Sequence, residues 1–246
     1  MLTDLLPLPG GISAFIGSGG KTSLIAACAE ELAQKEKKVI VTTTTHIYPF
    51  PGMPLILTDG SGPARENLSE TLEKCPCVCI GSPSKDGKLT APDIPPEELR
   101  AMADHVLIEA DGAARRPLKA HNQTEPVIPE GTGSIICVFG LSGFGHPIGE
   151  AVHRSGLFLD LLKKEYPSLT ETDLAAPAMA ARVFEKEASR LFTDKKSGAG
   201  VIFLNQADLP GAVSKADDFV SSLVNKPDLI LAGSAALREV TKVYSV

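Results

Sequence analysis

The sequence has no tryptophan, few aromatic residues and no long apolar run. Its 246 residues include nine Phe and three Tyr. No apolar run approaches the ~18–20 residues that a membrane-spanning helix needs. The first residues, Met1–Asp4, place no basic segment before an apolar one, so we expect no signal peptide. These absences predict a cytoplasmic protein without a membrane partner.

An excess of positive charge is also missing. The chain has 24 Lys and Arg against 30 Asp and Glu, a net charge of -6. Proteins that bind nucleic acids generally present a basic face, so we expect no nucleic-acid partner.

The five cysteines are an odd number in a chain too large to need disulfide bonds, which indicates a reducing compartment. Cys75, Cys77 and Cys79 alternate along a predicted strand. That spacing is unusual for a tetrahedral metal site, so we interpret them as structural and leave any further role open.

Apolar runs alternate with helical patterns along the chain. Continuous runs such as Val106–Ile108 and Val201–Leu204 suit parallel strands buried on both faces. We predict a single α/β domain over residues 1–246, with a doubly wound, mostly parallel sheet and helices on both faces. The predicted strands are residues 12–17, 38–43, 55–58, 76–80, 105–110, 134–140, 200–205 and 228–232, and the predicted helices are residues 21–36, 64–74, 96–103, 155–164, 173–191 and 213–224.

Two segments depart from this alternation. Residues 141–192 hold Gly-Phe-Gly-His-Pro and two helical patterns, and we predict a helical insertion that acts as a lid or a partner surface. Residues 81–96 are rich in Pro, Gly, Lys and Asp, which predicts a loop or a small hairpin built on Asp86-Gly87.

The most informative stretch begins at residue 12, where an apolar strand leads into a glycine turn and then a helix. Glycines let the backbone approach a polyphosphate, and the N–H groups that open the helix point at it. Phe15 stands where the usual pattern has its first glycine, and an ordinary tight turn is the alternative. Lys21 would neutralise phosphates, and the Thr22 hydroxyl would bind Mg²⁺. The predicted phosphate-binding residues are Gly17, Ser18, Gly19, Gly20, Lys21, Thr22 and Ser23.

Carboxylates and cations follow a second apolar strand. We predict that Asp111 binds Mg²⁺ together with the loop hydroxyl and that Glu109 positions water, since hard cations prefer oxygen ligands. The alternative is a solvated Asp-Gly turn. Arg115, Arg116 and Lys119 are three cations within five residues. Either arginine is a candidate for stabilising transition-state charge, and the alternative is a solvated basic loop. The predicted catalytic set is Lys21, Glu109, Asp111, Arg115 and Arg116.

A third strand ends in a candidate base-reading segment. Residues 205–208, Asn-Gln-Ala-Asp, resemble the Asn-Lys-x-Asp motif of GTPases, with Gln206 in place of Lys. The carboxylate of Asp208 can accept from guanine N1–H and N2–H₂. We include Asn205 and Ser234, at the end of the next strand, in the predicted base site, and expect GTP in preference to ATP. A helix-capping turn is the alternative.

Four stretches together resemble the YqeC family, which comprises accessory proteins of selenium-dependent hydroxylases, also called selenium cofactor biosynthesis proteins. They are residues 17–23, 42–46, 109–119 and 125–129, and the resemblance runs from residue 12 to about residue 235. It implies a P-loop NTPase-like, nucleotide-binding accessory protein that helps to mature a selenium-containing molybdenum hydroxylase. The implied partner is that hydroxylase or a cofactor-insertion protein.

Three functions stay open on the residues alone. The first is a Mg²⁺-dependent NTPase. The second is a small-molecule kinase or nucleotidyl transferase, with an acceptor pocket formed by Thr44, His46, Arg116 and Lys119. The third is a nucleotide-binding scaffold or chaperone without significant turnover.

We expect Asp208→Ala to raise the dissociation constant for GTP by about tenfold or more, because guanine loses a charged hydrogen-bond acceptor. The constants for ATP and CTP should not change. Calorimetric titration with Mg²⁺ measures all three. Equal binding of the three nucleotides by the unaltered protein would contradict a guanine site.

Overall fold

The computed structural model describes residues 1–58, 63–187 and 198–245. The strands are β1 (Gly11–Gly17), β2 (Val39–Thr43), β3 (Leu55–Leu57), β4 (Cys77–Pro83), β5 (Leu89–Thr90), β6 (His105–Glu109), β7 (Leu118–Lys119), β8 (Ser134–Gly140), β9 (Val152–His153), β10 (Ala199–Asn205), β11 (Leu229–Ser234) and β12 (Glu239–Tyr244). The α-helices are α1 (Lys21–Gln34), α2 (Ala64–Lys74), α3 (Pro96–Met102), α4 (Ile148–Ala151), α5 (Ser155–Leu162), α6 (Pro177–Glu187) and α7 (Ala212–Ser222).

The main sheet has the strand order β12-β11-β10-β8-β1-β6-β2-β4-β3, with β5 paired to β4. Its inner strands pair in parallel, and β12 is an antiparallel edge. Each predicted strand is present, and the predicted doubly wound α/β fold is confirmed. Chain progression reverses across β1, because β6 flanks it on one side and β8 on the other. In such sheets ligands bind at this switch point, beyond the carboxyl ends of the strands.

Neighbouring residues of one strand pack into different layers. Ile136 and Val138 of β8 face a cluster that contains Leu24 of α1, on one side of the sheet. Phe139, on the opposite face of β8, packs against Phe219 of α7 with ring centroids 4.8 Å apart. Apolar side chains therefore emerge on both faces of the strand, which is why its sequence is a continuous apolar run.

The segment after β8 combines helices with the short strand β9 and with turns over residues 163–176, and it packs into the main core. It contains α4, α5 and α6, and Phe158 and Phe184 are buried in the same cluster as β8. The Phe184 ring meets that of Phe139 edge to face at 5.9 Å. The helix predicted over 173–191 begins at Pro177, and residues 188–192 of the predicted insertion lie outside the described residues.

Two smaller expectations can be compared with the structure. Ser82 and Pro83 pair with Thr90 and Leu89 around Asp86-Gly87, so the predicted hairpin is confirmed. Cys77 and Cys79 lie in β4, whereas Cys75 precedes the strand, directly after α2. Burial raises the pKa of the Cys77 thiol to about 12, which suits a structural role.

Within the described ranges, no helix is long and apolar enough to cross a membrane.

Gly17 ends β1 at a point where no side chain fits. Its φ is +91°, and a Cβ there would lie 2.3 Å from the carbonyl oxygen of Val138 on β8. Gly52 has a similar φ of +80° but no atom within 4 Å of its Cβ position.

We therefore expect Gly17→Ala to lower the free energy of unfolding by about 2–5 kcal/mol, from backbone strain and overpacking together. Gly52→Ala should cost only about 1–2 kcal/mol, from strain alone. Urea denaturation compares them, and equal losses would show that the approach of β1 to β8 does not require glycine.

Candidate functional site

The glycine loop lies at the switch point, between the end of β1 and the start of α1. Cβ atoms on Gly19 and Gly20 would lie 2.2 Å from Gly140 N and from Asn205 Nδ2, respectively. Ser18 Oγ donates a hydrogen bond to Pro117 O at 3.0 Å, and Asn205 Nδ2 donates one to Gly19 O at 2.8 Å. The loop is thus fixed from two sides.

The carboxylate of Asp111 is completely buried just after β6. It accepts a hydrogen bond from Gly17 N at 2.7 Å and contacts Nε2 of His121 at 2.8 Å. Nζ of Lys21 lies 3.0 Å away and Nζ of Lys119 3.1 Å away. Burial by itself would raise the pKa of Asp111, but these positive partners outweigh burial and hold the pKa well below its usual range. Asp111 is therefore ionised.

Lys21 is also buried, and its charge is balanced from two directions. Its Nζ donates to Gly17 O at 2.6 Å and lies 3.6 Å from Glu109 Oε1. Burial alone would lower the pKa of Lys21, but the charges of Asp111 and Glu109 outweigh it and raise the pKa. The ammonium therefore stays charged at neutral pH.

Glu109 differs from Asp111 in its surroundings. Thr22 Oγ1 donates to Glu109 Oε2 at 2.8 Å. Burial raises the pKa of Glu109, an effect that Lys21 and the Thr22 hydroxyl oppose. Because a hydroxyl and a carboxylate side by side suit Mg²⁺, the geometry favours Glu109 rather than Asp111 as the carboxylate partner of Thr22. This departs from the sequence prediction, which could not show that donors already surround Asp111.

Thr22 and Glu109 line a cleft of about 720 Å³ at the carboxyl ends of the central strands. The same cleft is lined by Arg115 and Arg116, and Arg116 Nη1 donates to Gly149 O at 3.1 Å. Among the predicted site residues, the cleft brings together Gly19, Gly20, Lys21, Thr22, Ser23, Glu109, Arg115 and Arg116.

The predicted base-reading residues do not line this cleft. Asn205 Oδ1 accepts from Ala235 N at 2.9 Å, so its amide ties the loop after β11 to the glycine loop. Ser234 Oγ accepts from Leu237 N at 3.3 Å. Asp208 is exposed in the turn before α7.

A buried charge network behind the site was missed by the sequence analysis. Lys119, predicted to contact an anionic ligand, points inward and pairs with Glu125 at 3.1 Å, and Glu125 pairs with Arg154 at 2.7 Å. The backbone N–H of His121 donates to Glu187 at 2.9 Å. Lys119 and Glu125 are six residues apart, whereas Arg154 and Glu187 are distant in sequence from their partners. None of the three pairs has a motif spacing, so no local signal could have revealed them.

The sheet order and the central glycine loop define the class: a three-layer α/β protein with a P-loop NTPase-like fold. The YqeC protein family model matches residues 13–156, more than half of the chain. The chain therefore belongs to the YqeC family. A curated relative, the "Uncharacterized protein YqeC" of Escherichia coli (strain K12), is 33% identical over 157 residues. That alignment covers 61% of this chain and 60% of the relative.

Solved structures of similar shape are more distant. The 54 kDa signal recognition particle protein of Aeropyrum pernix K1, in complex with GDP, has a TM-score of 0.43 and 14% identity, covering 99% of this chain and 46% of that one. FtsY from Mycoplasma mycoides has a TM-score of 0.40 and 12% identity, covering 96% and 63%. A GTPase in apo form from Pyrococcus abyssi has a TM-score of 0.36 and 12% identity, covering 93% and 92%.

We expect Asp111→Asn to lower the free energy of unfolding by about 3–5 kcal/mol at pH 7, because the variant removes the buried negative charge that Lys21 and Lys119 both contact. Asp218→Asn, at an exposed position, is the matched control and should change it by less than about 0.5 kcal/mol. Urea denaturation measures both.

The pH dependence follows from the lowered pKa of Asp111. Its ionised form stabilises the fold above its ordinary pKa of about 3.9, and this stabilisation is lost as the pH falls from there towards the folded-state pKa. The difference between the unaltered protein and Asp111→Asn should therefore shrink below about pH 4. A difference that is constant from pH 7 to pH 3 would contradict the charge argument.

Proposed function

We propose that this protein binds a nucleoside triphosphate with Mg²⁺ and hydrolyses it. One observation carries the proposal: Lys21, held charged in the glycine loop, opens onto the same cleft as the Thr22–Glu109 pair. Cation, hydroxyl and carboxylate are the groups that a Mg²⁺–polyphosphate complex requires.

The helix start supplies further donors. The first turn of a helix leaves its N–H groups without acceptors inside the helix, which here are those of Lys21, Thr22 and Ser23. The N–H groups of Gly17 and Ser18 already have acceptors, Asp111 and Val138. We infer that the phosphates sit over residues 20–23 rather than over the whole predicted loop.

Arg115 and Arg116 line the cleft together with these groups. An arginine placed at the transferring phosphoryl group stabilises transition-state charge, with an effect of about 10³–10⁵ on the rate where such arginines are known. Bound Mg²⁺ would neutralise phosphate charge beside Thr22 and Glu109. The chain's own contribution is to hold these groups in place and keep Lys21 protonated.

We further propose that GTP is preferred over ATP, and that turnover serves maturation of a selenium-dependent molybdenum hydroxylase. The base preference is supported by the resemblance of residues 205–208 to the Asn-Lys-x-Asp motif of GTPases, a segment that Asn205 joins to Gly19 of the glycine loop. The accessory role is supported by membership of the YqeC family.

The cleft also extends to His46 and Tyr48, which favours transfer to a second molecule as the competing reaction. Free phosphate released without an acceptor indicates hydrolysis, whereas a labelled second product indicates transfer.

Lys21→Ala should abolish Mg²⁺-dependent phosphate release, because no other described side chain donates from that position in the loop. Malachite green detection of phosphate measures the rate. Full turnover by this variant would rule out the proposed role. Since Lys21 also balances buried carboxylates, its loss can disturb folding, and a second pair of variants is needed.

Thr22 and Ser23 form that pair, as adjacent exposed hydroxyl residues in the first turn of α1. Only Thr22 contacts Glu109. Thr22→Ala should lower turnover by at least about tenfold and raise the Mg²⁺ concentration needed for half-maximal rate, because one hard ligand is lost. Ser23→Ala removes the hydroxyl but keeps the backbone N–H proposed to face the phosphates, so it should retain both values. Equal effects of the two substitutions would contradict the proposed Mg²⁺ position.

A further inference from the structure

The cleft carries more positive charge than the glycine loop alone provides. Lys88, Arg115 and Arg116 line it in addition to Lys21, and Glu109 is the carboxylate among its lining residues. This concentration occurs in a chain whose net charge is -6. Clefts lined by one sign of charge focus the potential and attract oppositely charged ligands.

Two of these cations meet at one aromatic ring. Nζ of Lys88 lies 5.4 Å from the ring centroid of Tyr48, and the guanidinium carbon of Arg115 lies 5.5 Å from it. Tyr48 is half-exposed, at 48%. The ring attracts both cations over its face, so it holds two like charges near each other without neutralising them.

The backbone positions this cluster from three segments. Ile47 and Leu89 exchange two backbone hydrogen bonds, of 3.0 and 2.7 Å, which sets Tyr48 beside Lys88. Ala114 and Arg115 both have positive φ, +46° and +59°. Non-glycine residues in that region cost energy and persist where the surrounding structure imposes them, often at ligand sites.

The cluster lies on one side of the glycine loop and the candidate base segment on the other. In the sheet order, β8 and β10 lie on one side of β1, whereas β6, β2 and β4 lie on the other. The five steps from β10 to β4 correspond to about 24 Å at the usual strand spacing. A nucleotide running from the glycine loop towards residues 205–208 leaves the Tyr48 side of the cleft open.

We propose that Tyr48, Lys88 and Arg115 form a second subsite, which binds a small phosphorylated molecule next to the nucleotide. The proposal rests on the proposed function in one respect, that the nucleotide occupies the glycine loop. An ammonium and a guanidinium are the donors that recognise phosphoryl oxygens. Of the acceptor pocket expected from sequence, His46 and Arg116 line the cleft, whereas Lys119 is buried in the charge network and Thr44 Oγ1 donates to Val127 O.

Inorganic phosphate is the probe for this subsite, titrated by calorimetry into full-length protein saturated with Mg²⁺ and a non-hydrolysable GTP analogue. We expect one phosphate to bind in the presence of the analogue. Lys88→Glu should raise its dissociation constant by at least about tenfold, because a charged hydrogen-bond donor becomes a repelling carboxylate. The dissociation constant of the analogue should change by less than about twofold, since Lys88 lies outside the proposed nucleotide site.

Lys85→Glu is the matched control, because Lys85 is an exposed lysine of the same hairpin and is not among the residues that line the cleft. It should leave phosphate binding unchanged. Three results would each overturn the subsite. They are displacement of phosphate by the analogue, phosphate binding by Lys88→Glu as tight as by the unaltered protein, and an equal weakening of phosphate binding by Lys85→Glu. Failure of the proposed function has a different signature: no binding of the analogue, with phosphate binding that still depends on Lys88.

Discussion

A carboxylate removed from water must be compensated by donors and opposite charges, and Asp111 sets this requirement at the centre of the molecule. Its partners come from separate parts of the chain: the end of β1, the start of α1, β7 and the segment after it. Two of these partners are fixed in turn, because Lys119 pairs with Glu125 and the backbone N–H of His121 donates to Glu187 at the end of α6. One buried charge thus determines where the glycine loop sits relative to the helices that follow β8.

Two carboxylates two residues apart take opposite electrostatic roles. Asp111 has a lowered pKa because cations surround it, whereas burial raises the pKa of Glu109. Groups whose surroundings push their pKa values apart commonly divide the work of a site. Here Asp111 organises the interior, and Glu109, beside Thr22, is the carboxylate that faces the cleft. The two acids at the end of β6 thus share Lys21, but Glu109 lines the cleft and Asp111 faces the interior.

The sequence predicts the sheet well because its strands carry continuous apolar runs, as in β8, where neighbouring side chains are buried on opposite faces. It predicts the glycine loop because local spacing encodes it. It does not predict the edge strand β12, whose residues alternate between half-buried and exposed and include charged side chains. It also misplaces Lys119, since a cation beside a proposed phosphate site and a cation turned inward have the same local sequence. Contacts such as that of His121 with Glu187 depend on tertiary packing, which residue spacing does not contain.

The number of partners around Asp111 bears on how the loop can accept a ligand. Lys21 pairs with Asp111 and donates a hydrogen bond to Gly17 O. If Lys21 were the sole counter-charge, moving it towards a phosphate would leave a buried carboxylate uncompensated, at a cost of several kcal/mol. Lys119 and His121 also contact Asp111, at 3.1 and 2.8 Å, so a displaced Lys21 would leave the carboxylate with two other partners and a lower cost. On the proposed function, this network would let the loop lysine exchange a carboxylate for a phosphate without leaving Asp111 unpaired.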